Sequence, residues 1–436
     1  MIRLLTDYYN KNKIKLELED SDHHSNTPIL LAYKENNIKL AQSLLNYANE
    51  INLILNINRK NNDGNYPFLL ACENDNIDMA QLLIDYIYKN NNSNIKLELN
   101  EKNIYGVSPI LLATENNNKK LLKIIIGYAN KEDIELSTIN EKNSNDGSFP
   151  LLYAVQNNNK EIIELLMSYT NEKEILLNIN ENDNKGYYPL LWAIQNNNND
   201  IIDLLMKYAN IKRIILNIND KSKDGYYPLL YATENNNITI IETLKDYANK
   251  YGIIFQINEK SNDDKFPLLV AIDNNNIELI KLLINYGADV NIKNKNGDIA
   301  LSYFCNEGNE ILVNYLIDHG SNINNENEEG ETPLLLACKN ENINENIVKL
   351  LIEKGADVNK EDKNGDTPLI ISCKFGNQNI VNYLIKSGAD IVKNNNDGDT
   401  PLKIAKEINN EEIIKYLENI IKIDKGYYYF YLFFNY

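Results

Sequence analysis

The sequence has few of the residues from which catalytic and metal sites are built. Its 436 residues include only three histidines, His23, His24 and His319, and four cysteines. No serine or cysteine has a neighbouring base in a recognised catalytic motif, and no glycine-rich phosphate loop occurs. The cysteines also lack the spacing of a metal site. We therefore expect a protein that is not an enzyme and needs no cofactor or metal ion.

Basic residues and long apolar runs are also scarce. Lys and Arg number 44 against 62 Asp and Glu, so the net charge is −18. Because phosphate neutralisation dominates nucleic-acid binding, this charge argues against nucleic acid and favours a basic protein or peptide partner. The apolar run near Met1 is too short for a secretory signal, and the aromatic end of the chain falls short of the roughly 20 residues that span a bilayer. We expect a cytoplasmic protein with no membrane contact.

Proline is rare, and its ten residues share one position in a repeat. The prolines are Pro28, Pro67, Pro109, Pro150, Pro189, Pro228, Pro267, Pro333, Pro368 and Pro401. Ala300 takes the same position midway between Pro267 and Pro333. Successive positions are 39 to 42 residues apart up to Pro267 and 33 to 35 apart after it. A period in this range is typical of a solenoid, and the positions define about eleven repeats.

Each repeat reads as a pair of helices. Gly225 supplies the positive φ of a turn, and Pro228 suits the first position of an inner helix. A short apolar run then ends at Ala232, whose small side chain lets a neighbouring helix approach. Eight residues after proline, Asn236 or its equivalent tolerates the left-handed backbone of a second turn. An outer helix follows with apolar residues at helical spacing, as at Ile277, Ile280, Leu283 and Ile284.

The later repeats resemble ankyrin repeats: residues 365 to 369 read Gly-Asp-Thr-Pro-Leu, and residues 388 to 390 read Gly-Ala-Asp. The resemblance covers roughly residues 4 to 421. It implies an all-α repeat solenoid of helix–loop–helix units with β-turn or hairpin fingers, about eleven repeats plus an N-terminal half-repeat. The family usually has histidine two residues after proline, whereas this chain has leucine. Apolar packing is therefore expected to replace part of the polar network at Leu30, Leu69, Leu111, Leu152, Leu191, Leu230, Leu269 and Leu335.

Repeat length divides the chain into four segments. Residues 1–27 form the N-terminal half-repeat, of an outer helix and a finger, and residues 28–266 form the long repeats. Residues 267–424 form repeats of ordinary length, and residues 425–436 form an aromatic tail that could cover the last repeat, provide an interface or be a stray translated end. The extra residues of the long repeats fall between outer helix and finger, as at 209 to 216. Their Ile and Leu content predicts a buried ridge of additional stacking core.

The four cysteines share one position, five residues after the proline slot. Equivalent positions in adjacent repeats are roughly 8–10 Å apart, which is too far for a disulfide. We expect core thiols in a reducing compartment at Cys72, Cys305, Cys338 and Cys373.

The fourth to sixth repeats carry a candidate binding site. In ankyrin-like units the concave face is formed by finger tips and by the exposed side of the inner helix. Tyr187 and Tyr226 occupy the finger-tip slot, and Tyr153, Trp192 and Tyr231 occupy a slot on the inner helix. Acids and amides follow at Gln156, Asn157, Gln195, Asn196, Glu234, Asn235, Asp273 and Asn274. This mixture is typical of an interaction hot spot, and the alternative is that the rings only fill space between repeats.

Two functions fit these observations. The first is a non-catalytic scaffold or adaptor that binds a protein or peptide on the concave face. The second is the targeting arm of a larger protein, an enzyme, channel or ubiquitin-ligase adaptor, whose N-terminal part is absent from this chain. A purely structural spacer would have no discrete partner.

Overall fold

The computed structural model describes residues 17–90, 95–339 and 344–434, with side chains described up to residue 422. The chain forms two compact units. The first runs to Gln256 and includes Ser261–Asp263, and the second comprises Ile257–Lys260 and everything from Asp264 onward. Within the described ranges all regular structure is helical, and no strand is present. The prediction of an all-α repeat solenoid is confirmed.

In the first unit, short inner helices alternate with long outer helices. Its α-helices are α1 (Pro28–Lys34), α2 (Ile38–Glu50), α3 (Pro67–Glu73), α4 (Ile77–Lys89), α5 (Pro109–Glu115), α6 (Lys119–Lys131), α7 (Pro150–Gln156), α8 (Lys160–Glu172), α9 (Pro189–Gln195), α10 (Asn199–Lys212), α11 (Pro228–Glu234) and α12 (Ile238–Tyr251). A 3₁₀ helix, Ser137–Asn140, follows α6.

The second unit repeats the alternation with shorter outer helices. Its α-helices are α13 (Pro267–Asp273), α14 (Ile277–Asn285), α15 (Ala300–Glu307), α16 (Glu310–Asp318), α17 (Pro333–Lys339), α18 (Glu345–Glu353), α19 (Pro368–Lys374), α20 (Gln378–Lys386), α21 (Pro401–Glu407) and α22 (Glu411–Phe434). Every proline of the sequence therefore begins an inner helix, and Ala300 does so in the one repeat without proline.

Local chemistry fixes the ends of the helices. The residue eight positions after proline adopts positive φ, as at Asn197 (54°) and Asn236 (54°), and turns the chain between inner and outer helices. The asparagine that follows caps the outer helix. Asn237 Oδ1, for example, accepts a hydrogen bond from the backbone N–H of Ile240 at 3.1 Å. Such a cap stabilises a helix by about 1 kcal/mol, and the same cap precedes every other outer helix from α2 to α20.

The repeat cores are apolar where the family has histidine. Leu30, Leu69, Leu111, Leu152, Leu191, Leu230 and Leu335 are buried, which agrees with the predicted replacement, while Leu269 is partly exposed. Aromatic residues before proline add backbone contacts. The hydroxyl of buried Tyr66 donates to the carbonyl oxygens of Glu98 at 2.6 Å and Glu101 at 3.0 Å. All four cysteines are buried and free, as expected.

The buried stripe of the outer helix differs slightly from the predicted one. Ile280, Leu283 and Ile284 are buried in α14, but Ile277 is 40% exposed. Ile277 is the first residue of the helix, and Leu279 completes the buried face in its place.

The insertions of the first unit lengthen its outer helices to 13 or 14 residues, against 9 in α14, α16, α18 and α20. The helix runs past Tyr208, whose hydroxyl accepts a hydrogen bond from the backbone N–H of buried Leu177 at 3.0 Å. The predicted buried ridge is wrong in part. Leu176, Ile215 and Ile254 are 54%, 55% and 84% exposed, whereas the next residues Leu177 and Leu216 are buried and Phe255 is partly exposed.

Some sequence expectations lie outside the described residues. These are the outer helix expected at the start of residues 1–27 and the turn position eight residues after Pro333. The backbone of residues 425–434 continues α22 as helix, while the side chains of the aromatic tail are not among those described.

Candidate interaction surface

Two finger tips place tyrosines beside the inner helices of the first unit. Asp183 Oδ1 accepts a hydrogen bond from the backbone N–H of Tyr187 at 2.8 Å and closes the turn. Gly225, before Tyr226, has φ of +82°, and a Cβ there would lie 2.7 Å from the backbone nitrogen of Asn262 in the next finger. Only glycine allows this approach, so the fingers stack closely and fix the position of Tyr226.

Four of the predicted residues form one aromatic cluster, consisting of Tyr187, Trp192, Tyr226 and Tyr231. The rings of Tyr187 and Trp192 are 4.6 Å apart, and those of Tyr226 and Tyr231 stack at 4.8 Å. Aromatic pairs of this kind contribute about 0.5–1.5 kcal/mol beyond the area they bury. Tyr187 and Tyr231 are buried, whereas Trp192 and Tyr226 are partly exposed. The cluster thus fills space between repeats and also presents an aromatic edge to solvent.

Tyr153, the fifth predicted aromatic residue, is held by polar groups. Its hydroxyl accepts from Asn143 Nδ2 at 3.0 Å and lies 3.5 Å from Asp146 Oδ2. Burial raises the pKa of Tyr153, and the negative charges of Glu115 and Asp146 act in the same direction. Burial also raises the pKa of Glu115, against the effect of its hydrogen bond with Tyr153. Two carboxylates therefore converge on one buried hydroxyl.

Trp192 and Gln195 each carry a buried polar atom that is not hydrogen-bonded to any described residue. The atoms are the indole Nε1 and the amide Oε1. Positions three residues apart are neighbours on a helix surface, so the two atoms lie on one side of α9. We call them the unpaired side-chain N–H and C=O of α9. Leaving a buried polar group unpaired costs about 1–3 kcal/mol. The repeat therefore leaves two hydrogen-bonding groups of this part of the helix without a partner in the described part of the chain.

Glu234, the remaining predicted residue, lies beside the other partly exposed ring. The hydroxyl of Tyr226 is 3.4 Å from Glu234 Oε1 and 3.2 Å from Asp263 Oδ2. A second pair of carboxylates therefore surrounds a tyrosine hydroxyl, at the opposite end of the aromatic cluster from Tyr153.

The repeat at Pro333 in the second unit has a lysine in the slot six residues after proline. This residue, Lys339, lies 2.5 Å from Glu331 Oε1 and 3.1 Å from Asp362 Oδ2. Glu115 and Glu234 occupy the same slot in the first unit. The repeat of Lys339 therefore pairs its finger acids with its own cation, whereas these two repeats of the first unit have a further acid in that slot.

Glu115 and Asp146 were not among the residues predicted from the sequence. The signal was present in the change of charge at one slot, from Glu115 and Glu234 in long repeats to Lys339 in an ordinary one. It becomes meaningful only once the fold shows that the finger acids face that slot.

The amides next to this slot bind neighbouring repeats. Asn157, Asn196 and Asn235 donate through Nδ2 to backbone carbonyl oxygens of the preceding inner helix, at 3.0, 3.0 and 2.7 Å. These three residues are partly exposed beside the candidate site, and their Nδ2 donors are used to join repeats.

The described residues offer binding groups more than reactive ones. No cluster of three or more His, Cys, Asp or Glu able to hold a metal ion occurs among them. Burial raises the pKa of all four thiols, which keeps them protonated at neutral pH. His319 Nδ1 lies 2.7 Å from the carbonyl oxygen of Tyr315, and His23 and His24 stack on each other at 4.0 Å.

A membrane-spanning helix would have to be both long and apolar, and none of the helices in the described part of the chain is both.

Comparison with family models gives matches along most of the sequence. A model described as ankyrin repeats (3 copies) matches residues 88–176, 111–215, 210–294, 268–362 and 341–426. A second, described as ankyrin repeats (many copies), matches residues 29–84. No curated protein matches the sequence.

Proposed function

Because the chain belongs to the ankyrin repeat family, whose repeats generally mediate protein–protein interactions, we propose that it is a non-catalytic scaffold or adaptor. The partner, a protein or peptide, binds the inner-helix face of the first unit, formed by α7, α9, α11 and the adjoining finger tips. The proposed contact residues are Tyr153, Tyr187, Trp192, Gln195, Tyr226, Tyr231 and Glu234.

The observation that carries this proposal is the aromatic cluster flanked by acids. Trp and Tyr in partly exposed, well-packed positions are the residues most often found at binding hot spots. On either side, carboxylates surround the hydroxyls of Tyr153 and Tyr226. An arrangement of this kind favours a partner that brings its own cations.

The second unit shows what such a cation would do. Lys339 contacts a finger acid of its own repeat and another of the next. A lysine or arginine from the partner would take the equivalent place beside Glu115 and Asp146. The proposed partner is therefore basic, which agrees with the net charge of −18 and excludes nucleic acid on electrostatic grounds.

We also propose that the protein is cytoplasmic. Four cysteines without a disulfide suit a reducing compartment.

Substitution of the aromatic edge tests the proposed contact. Peptides are first selected from a displayed random library for binding to the unaltered chain. The double variant Trp192→Ala with Tyr226→Ala should no longer capture these peptides. Tyr303→Ala is the matched control, because Tyr303 occupies in the second unit the slot that Trp192 occupies in the first, and it is 39% exposed. Undiminished capture by the double variant, with its helical circular dichroism intact, would show that the aromatic edge is not the contact.

A charge substitution tests the sign of the partner. Glu115→Lys introduces the residue type that the second unit has in this slot, and we expect it to abolish binding of lysine-rich library peptides. Glu164→Lys makes the same charge change at an exposed position of outer helix α8, away from the inner-helix face. This variant should bind the peptides like the unaltered chain. Equal loss in both variants would mean that only net charge matters.

A further inference from the structure

We propose that the unpaired side-chain N–H and C=O of α9 bind the backbone C=O and N–H of one residue in an extended partner segment. This inference rests on the proposed function and adds what the partner presents to Trp192 and Gln195. Trp192 Nε1 would donate to a partner carbonyl oxygen, and Gln195 Oε1 would accept from a partner N–H.

The chemistry of the pair selects the kind of group. An indole nitrogen only donates, and an amide oxygen only accepts. A lysine side chain could satisfy Gln195 alone, and a carboxylate could satisfy Trp192 alone. One residue of an extended segment supplies both an acceptor and a donor on the same side, whereas the N–H and C=O of a single trans peptide group point in opposite directions. In a helix these groups are used internally, so the partner segment must be extended at this point, as in other peptide complexes that use main-chain hydrogen bonds.

The side chain of Gln195 is the part of the site that we expect to move on binding. Gln195 is the last residue of α9, and its side chain is partly exposed. Both unpaired atoms are buried, so the inference requires this side chain to turn outward when the segment binds. Trp192 stays in place because Tyr187 packs against it at 4.6 Å, and Tyr187 is held by Tyr231.

The flanking acids set the identity of the neighbouring residues. The carboxylates around Tyr153 come from Glu115 and Asp146, before the repeat of Trp192 in the chain. Those around Tyr226 come from Glu234 and Asp263, after that repeat. An extended segment across these repeats would place basic side chains at its two ends and a bare stretch of backbone over Trp192. The inferred ligand is thus a basic, extended peptide.

The single indole of the chain gives a direct spectroscopic test. Trp192 is the only tryptophan, so the indole N–H produces one signal in a ¹H–¹⁵N NMR spectrum. Titration with N-methylacetamide, the simplest peptide-group analogue, should shift that signal downfield and saturate. Trimethylamine N-oxide, an acceptor without a donor, should shift it less. No saturable shift with N-methylacetamide would overturn the inference.

Binding of a capped pentalysine peptide tests the pair in a longer ligand. Trp192→Phe keeps the aromatic surface and removes the N–H, and Gln195→Leu removes the acceptor. Each should weaken pentalysine binding about fivefold, the size of one net hydrogen bond. Gln156→Leu, at the same slot of the preceding repeat and exposed, is the matched control and should bind like the unaltered chain.

The two failures are distinguishable. Unchanged affinity of Trp192→Phe and Gln195→Leu, with pentalysine still bound by the unaltered chain, would overturn the peptide-group inference and leave the proposed function standing. Failure of both pentalysine and the displayed library to bind the unaltered chain would overturn the proposed function and the inference with it.

Discussion

The hydroxyl oxygens of Tyr187 and Tyr231 lie 2.6 Å apart between two consecutive repeats. Tyr187 comes from a finger tip and Tyr231 from the inner helix of the next repeat. Burial raises the pKa of Tyr231, and the hydrogen bond with Tyr187 acts in the same direction. The two rings therefore act as a neutral, buried link between a finger and a helix, and they support the more exposed Trp192 and Tyr226.

Removal of one hydroxyl from this link should destabilise the first unit. We expect Tyr231→Phe to lower the free energy of unfolding by about 1–2 kcal/mol, because the hydroxyl of Tyr187 would remain buried and unpaired. The double variant with Tyr187→Phe should lose less than the sum of the two single effects. Urea unfolding followed by the fluorescence of Trp192 measures this, and strictly additive losses would show that the hydroxyls do not share a bond.

Loss of the hydrogen bond between Tyr208 and Leu177 should destabilise the first unit more than loss of an exposed tyrosine hydroxyl. Tyr208→Phe leaves the backbone N–H of Leu177 buried without its acceptor, at an expected cost of about 1–3 kcal/mol. Hydrogen exchange at the Leu177 amide should accelerate by the corresponding factor. Tyr105→Phe, whose ring is 49% exposed, is the control. Similar exchange at Leu177 in both variants would contradict the assigned bond.

Lys339 should be more important for stability than its charge alone suggests. Only 2% of the Asp362 side chain is exposed, so Lys339→Met would leave a buried carboxylate without its cation, at a cost of about 2 kcal/mol. Lys415→Met breaks a pair whose side chains are 75% and 83% exposed, and it should cost almost nothing. Thermal unfolding of the two variants checks this. Equal melting temperatures would refute it.

Alkaline pH should weaken the first unit through its buried tyrosines. Burial raises the pKa of Tyr128 from its ordinary value of 10.0 to about 12. The folded state therefore retains a proton that the unfolded state releases, and this contribution to stability is complete below pH 10 and declines as pH rises towards 12. Urea midpoints at pH 9, 10 and 11 should fall less steeply for Tyr128→Phe than for the unaltered chain. If the urea midpoints of the two proteins fell equally with pH, the raised pKa of Tyr128 would be contradicted.

Much of the fold could be predicted because single residues determine its turns. Gly225 and Asn236 adopt the positive φ that their side chains tolerate, and every proline begins a helix where its missing N–H has no cost. These signals are local, so they are readable without knowing which repeats touch.

The contacts between repeats were less predictable. The expectation that the insertions pack together wrongly included Leu176, Ile215 and Ile254, since it took the Ile and Leu content of the insertion as buried without separating its two faces. The hydrogen bonds that Asn157, Asn196 and Asn235 donate to the preceding inner helix were not predicted, because they join residues about 40 positions apart in the sequence. For the binding site, the aromatic residues could be chosen from slot positions, but their mutual packing depends on fingers and helices about 40 residues apart.

The amide bonds between inner helices carry a consequence for how this sequence can change length. Asn196 binds the main-chain carbonyl of Val155, and Asn235 binds that of Ile194. Because every residue type offers that carbonyl, deletion of the 39 residues from Pro189 to Tyr227 would place Asn235 against Val155 with the same bond. Gene duplication or loss in steps of one whole repeat therefore preserves this amide bond at the new junction, whereas other step sizes remove it.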